Sequence, residues 1–140
     1  MARQKTEKLT AIVVDFERKP KIVQIKRGYE ELQRIVGGTF SVVYPFADEV
    51  GLVVNDEGKL LGLPLNRSLR IDGELRDQGE VYDIIAGKFL VLGIKDDGWC
   101  DLSEELQAKF MARFATPECF LNIGGRTRPF PIKSRLVSQI

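Results

Sequence analysis

Leu9–Phe16 reads Leu-Thr-Ala-Ile-Val-Val-Asp-Phe, and Ile22–Lys26 reads Ile-Val-Gln-Ile-Lys; Glu17–Lys21 (Glu-Arg-Lys-Pro-Lys) lies between them. The first stretch is dense in β-branched and apolar side chains, as a central strand requires. The second alternates apolar and polar residues, the period of a strand with one wet face. Pro20 interrupts the pattern between them. Together they predict a β-hairpin and a fold organised around a sheet.

Outward from this pair, Tyr29, Leu32, Ile35 and Val36 recur at spacings that share one helical face, predicting a helix over Tyr29–Val36. Gly37-Gly38 follows it in the C-capping position. A phosphate-cradling loop would precede a helix instead. Thr39–Tyr44, Val50–Val54 and Lys59–Leu63 read as strands, the last after the Asn55-Asp56-Glu57-Gly58 turn. Leu63–Arg67 leaves the sheet, because Pro64 lacks a ladder donor. Arg70–Glu80 reads as an exposed loop. Val81–Ile85 and Phe89–Ile94 read as strands around the tight turn Ala86-Gly87-Lys88. Leu102–Phe114 is the strongest helix, with Leu106, Phe110 and Phe114 in step and Asp101 as its expected cap opposite Glu104. Phe120–Ile123, the Gly124-Gly125 turn and Pro129-Phe130-Pro131 form a tail. The expected fold class is α+β: a curved, mostly antiparallel sheet with two packed helices and a C-terminal arm. One domain is expected over residues 1–140, its core at about 9–117 and residues 118–140 an arm or extra strand.

Composition supports a globular chain. Of 140 residues, 44% are hydrophobic and 29% charged, and the net charge is +1. That charge draws the protein to neither nucleic acid nor membrane as a whole. Its distribution is uneven. Residues 1–46 carry +4, residues 47–83 carry −5, residues 84–119 carry −2 and residues 120–140 carry +4. The acidic middle and basic ends neutralise one another within or between subunits, or the ends make a basic face. Met1–Lys8 has no apolar segment and no run is long enough to span a membrane, so a cytoplasmic protein with reduced Cys100 and Cys119 is expected. The chain has no histidine. That excludes Ser–His and Cys–His nucleophile pairs and the usual zinc sites, and makes catalysis the less expected role.

Four stretches in order carry a resemblance: Leu32–Gly38 (LQRIVGG), Asn55–Lys59 (NDEGK), Gly62–Arg67 (GLPLNR) and Ile85–Gly93 (IAGKFLVLG). The chain resembles, over about residues 10–115, the bacterial and phage family known as domain of unknown function number thirty-eight forty-six. The resemblance implies a setting: small accessory proteins of phages, plasmids and conjugative elements, among which inhibitors of host defence are common. It implies no catalytic residue.

The candidate ligand-binding residues are Asn66, Arg67, Arg70, Tyr44, Arg126 and Arg128. An arginine fork suits bidentate binding of phosphate or carboxylate, and Asn66 beside it can bond a base edge, a ribose or the backbone. The structural alternative has Asn66 capping a turn and Arg67 paired with an acid such as Glu57 or Asp83. Tyr44, with Phe46 and Tyr82, offers stacking surfaces, or simply core and rim. Arg126 and Arg128 flank Thr127 after a flexible glycine pair and suit an anion clamp, a contact to nucleic-acid backbone, a solvated hairpin or an intersubunit arm. The acidic pairs Asp48/Glu49, Asp56/Glu57 and Asp96/Asp97 sit in turns and assign no metal site. Trp99 is core or interface; with Phe120 and Phe130 it suggests an apolar patch that a second subunit could cover. No catalytic residue and no cofactor is assigned.

The expected function is therefore a non-enzymatic accessory protein of a mobile element, a homo-oligomer in the bacterial cytoplasm. It would bind a small phosphorylated (nucleotide) ligand or a host protein and so counter host defence. The alternatives are a nucleic-acid-binding module and a metal-dependent phosphodiesterase.

Overall fold

The computed structural model describes residues 8–70, 81–96 and 98–132. In chain order the elements are β1 (Lys8–Val14), β2 (Lys21–Lys26), α1 (Tyr29–Val36), β3 (Phe40–Val43), β4 (Val50–Asn55) and β5 (Leu65–Arg70). They continue with β6 (Val81–Ala86), β7 (Phe89–Lys95), β8 (Gly98–Cys100), α2 (Glu104–Arg113), β9 (Glu118–Ile123) and β10 (Arg126–Pro131). Among the described residues every strand pair is antiparallel. The fold is α+β, built on open sheets.

The main sheet has the order β2-β1-β7-β4-β3, with β8 pairing the far end of β7. β1 and β2 form the expected hairpin, in register from Lys8 opposite Lys26 to Val13 opposite Lys21. The centre is β7, whose Phe89–Gly93 stretch is buried throughout. Such a continuous apolar run needs cover on both faces, and the two helices supply it from opposite sides. On one face α1 places Leu32 and Val36 on Leu9, Ala11, Ile25, Val53, Leu90 and Leu92. On the other, α2 places Phe110 and Phe114 on Ile12, Val14, Leu52, Phe89 and Val91. Each large side chain so buried contributes about 1.5–3 kcal/mol.

The helix ends follow from local chemistry. Gly37 adopts left-handed backbone at φ 87°, and the N–H groups of Gly37 and Gly38 both donate to the Gln33 carbonyl, so the glycine pair is a C-cap. At α2 the cap is Ser103, whose Oγ accepts from the Leu106 N–H. Asp101, the expected cap, instead accepts from the Thr10 N–H at 2.7 Å and ties the chain before α2 to β1. Ser103→Ala should cost about 1 kcal/mol, read as a lower urea midpoint at unchanged slope.

Three other expectations change. Lys59–Leu63 is a turn, not a strand: the Asn55 side chain accepts from the Glu57 N–H, and the Leu61 N–H donates to the Glu57 carbonyl at 2.8 Å. Local side-chain bonding has outcompeted a ladder there. After Pro64 the chain begins a second, two-stranded sheet of β5 and β6, packed on the α2 side through Leu69 and Ile85. β6 and β7 do not pair with each other, because at Gly87 (φ 89°) the chain crosses from the small sheet to the main one. The exposed loop expected at Arg70–Glu80 has residues 71–80 outside the described ones.

The C-terminal arm is a β9–β10 hairpin, in register from Glu118 opposite Pro131 to Ile123 opposite Arg126. It stands beside β5, where the Glu118 carboxylate accepts from the Ser68 N–H at 2.8 Å and meets the Ser68 hydroxyl at 3.2 Å.

Candidate functional site

Asn66 and Arg67 stand at a break in the β5–β6 register between Leu65 and Arg67. An extra residue at such a bulge re-aims side chains that would otherwise alternate. Both lie in the interior, with Asn66 at 0% and Arg67 at 1% exposure. The Asn66 amide donates to the carbonyls of Val14 and Gly87, each at 2.9 Å, and its oxygen accepts from Arg67 Nη1 at 2.9 Å.

The remaining guanidinium contacts all run to backbone carbonyls. Arg67 Nε and Nη2 both donate to Phe114 O, at 3.2 and 3.0 Å. Nη2 also donates to Arg18 O at 2.6 Å, and Nη1 reaches Asp15 O at 3.5 Å and Asn66 O at 3.3 Å. The cation thus sits at the carbonyl end of α2, where the helix dipole favours positive charge. Burial pushes its pKa down to about 10, partly offset by the Glu118 carboxylate, and it stays charged at neutral pH.

This corrects the expectation that Arg67 and Asn66 grip a ligand. Their donors are turned inward, onto the protein's own backbone. The structural alternative is corrected in its detail: the acceptors are amide and backbone carbonyls, and the acid whose charge acts on Arg67 is Glu118 and not Glu57 or Asp83. Arg67 is a cross-link between β5, the β1–β2 turn and the end of α2.

Those three segments are the walls of a groove of about 870 Å³. Arg18, Lys19, Pro20 and Lys21 come from the β1–β2 turn, Arg70 from the end of β5, and Ala115, Thr116 and Pro117 from the segment after α2. Glu118, Pro129, Pro131 and Ile132 of the arm close it. Four cationic side chains therefore border one hollow, against the carboxylates of Glu17 and Glu118. The second of these is already engaged by Ser68.

Of the predicted residues, Arg70 lines this groove. Arg126 and Arg128 are exposed on the arm whose prolines close it. Tyr44 is not brought there. It follows β3 at the opposite edge of the main sheet, about four strand spacings or roughly 19 Å from β2. The Tyr82 side chain lies outside the described ones. Trp99 packs with Phe40 at 6.2 Å on the α1 side, away from the tail aromatics with which it was grouped.

Sequence reading missed Arg18, Lys19 and Lys21 as site residues. Their signal was present: three cations around one proline in a five-residue turn. Among the described residues no group of three or more Cys, Asp or Glu side chains converges on a point where a metal could bind. No helix among them is long and apolar enough to cross a membrane.

No curated protein and no solved structure matches the chain. Residues 9–115, which span both helices and the main and small sheets but stop short of the β9–β10 arm, match one family. The chain belongs to that family, described as Domain of unknown function (DUF3846).

Proposed function

We propose that the protein is a non-enzymatic binding protein whose basic groove captures a small phosphorylated ligand. The observation that carries this reading is the meeting of Arg18, Lys19, Lys21 and Arg70 around one hollow of about 870 Å³. A volume of this order suits a nucleotide-sized molecule. Clustered guanidinium and ammonium groups suit its phosphates. The Arg67 cross-link supports the reading from behind, because it holds the three walls at fixed separation before any ligand arrives. Preorganised walls lower the ordering cost of binding.

In the biological part of the proposal, the protein serves a phage or other mobile element and blunts a host defence by sequestering a nucleotide signal. The ordered motifs that resemble mobile-element accessory proteins support this setting.

Isothermal titration of the full chain with pyrophosphate, mononucleotides, cyclic nucleotides and a short oligonucleotide tests the reading. At least one small phosphorylated probe should bind, more weakly as salt rises. Lys19→Glu/Lys21→Glu should weaken it roughly 10- to 100-fold, the worth of one or two charge-assisted contacts. No heat from any small probe overturns the proposal, as does an affinity indifferent to the double variant. Binding of the oligonucleotide alone, falling steeply with salt, would assign the groove to a nucleic-acid backbone instead.

A further inference from the structure

Two surface patches have no role in the groove. The first is the outer face of the β9–β10 hairpin. Cross-strand partners share a face, and the register pairs Cys119 with Phe130, Leu121 with Arg128 and Ile123 with Arg126. One face therefore carries three apolar side chains interleaved with two arginines. Leu121 and Ile123 are 52% and 49% exposed. Glu118 and Pro131, on the other face, are the residues that meet Ser68 and the groove.

The second patch is the turn after β4. Leu60 is 88% and Leu61 59% exposed. Beside Leu60 opens a cavity of about 290 Å³ with apolar walls that include Val43, Val54 and Leu69. Its rim holds Asp56, Glu57, Lys59 and Asp83. Lys59 pairs with Asp83 at 2.6 Å and the Ser41 hydroxyl donates to Asp56, which leaves the Asp56 and Glu57 carboxylates without an ion-pair partner among the described residues.

The patches are complementary in both respects that matter at an interface. One is apolar and cationic, the other apolar and anionic with a hollow. Within one chain the hairpin flanks β5, whereas the small sheet lines the cavity mainly with Asp83, Ile84, Ile85 and Ala86 of β6. A two-stranded hairpin is also marginal without a further surface to pack on. We propose that the occupant is a second copy of this chain. The hairpin of each copy seats an apolar side chain, Leu121 or Ile123, in the other's cavity, with Arg126 and Arg128 against Asp56 and Glu57. A two-fold arrangement forms this contact twice, which doubles the area buried. The hairpin lies outside the residues that match the family, so the inference concerns a feature added to the common domain.

A charge-reversal pair tests this on the full chain. Sedimentation equilibrium of the wild type should give at least twice the 15.8 kDa of one chain. Arg126→Glu/Arg128→Glu places acid against acid and should raise the dissociation constant at least tenfold. Asp56→Lys/Glu57→Lys places base against base and should do the same. Mixed in equal amounts, the two variants restore opposite charges at both contacts and should associate as the wild type does. Circular dichroism of each variant verifies the fold, and Leu60→Ser, at an exposed position, gives a second route to the monomer. A monomeric wild type overturns the proposal. So does a hairpin variant that stays associated, or a mixture that does not pair.

Discussion

Arg67→Met should destabilise the fold by about 3–5 kcal/mol, the cost of breaking a buried charged network by removing one partner. Methionine fills much of the volume but donates no hydrogen bond. Phe114 O would lose both of its guanidinium donors, and Arg18 O, Asp15 O and Asn66 Oδ1 one each. Each buried acceptor left unmet costs about 1–3 kcal/mol, less where water can enter behind the exposed Arg18 turn. For a chain of this size the loss corresponds to a fall in Tm on the order of 10–20 °C. Replacing a buried ion pair with hydrophobic residues can be neutral, but here all partners except Asn66 Oδ1 are backbone carbonyls that no substitution removes. Arg67→Lys should lie between, at about 2 kcal/mol, since one ammonium cannot span acceptors arranged for a planar fork. Urea unfolding with an unchanged slope measures the effect. An Arg67→Met protein within about 1 kcal/mol of the wild type, well below the cost of several unmet acceptors, would show that the cross-link does not hold the walls.

Phe114→Ala should cost a comparable amount, about 3–5 kcal/mol. The ring lies edge-on to Phe89 at 5.3 Å, with Phe46 at 6.3 Å and Phe110 at 6.4 Å. The Arg113 guanidinium covers it at 5.3 Å. Truncation removes the apolar burial and leaves a void that the two-sided sheet cannot collapse to fill. Phe114 and Arg67 also share one structural point, since the residue that fills the core offers its carbonyl to the guanidinium. Their effects should be non-additive, with a coupling of about 0.5–3 kcal/mol. Phe114→Leu is the better partner for that cycle, because two full truncations together would approach the whole stability of a domain. Additive losses, measured by the same urea unfolding, would mean that α2 is anchored by its packing alone.

Both predictions concern the end of α2, which is also a wall of the groove. Stability and the candidate site are joined there. A weakened Arg67 contact should loosen the groove without touching any ligand.

Much of the architecture was legible because it rests on short-range rules. Leu9–Phe16 and Ile22–Lys26 show their strand periods and their turn, and they pair as a hairpin. Tyr29–Val36 shows its apolar stripe and its glycine stop. The spacing of Leu106, Phe110 and Phe114 announces α2, although its cap proved to be Ser103. Lys59–Leu63 was expected to return as a strand after the Asn55–Gly58 turn, and the Asn55 side chain overruled it.

The candidate site was far less legible. Asn66-Arg67 was read as a grip for a ligand, because a pair of polar residues after a proline reads the same whether it faces water or the core. Arg18, Lys19 and Lys21 read as an ordinary solvated turn until the segment after α2 and the arm were set opposite them. What the sequence by itself determined is the kind of each element, because periodicity and turn chemistry act over a few neighbouring residues. Only the tertiary structure decided that Arg67 faces inward and that distant cations share one hollow. Those outcomes depend on carbonyls 47 to 52 residues away from Arg67 along the chain, and no local pattern encodes contacts at such separations.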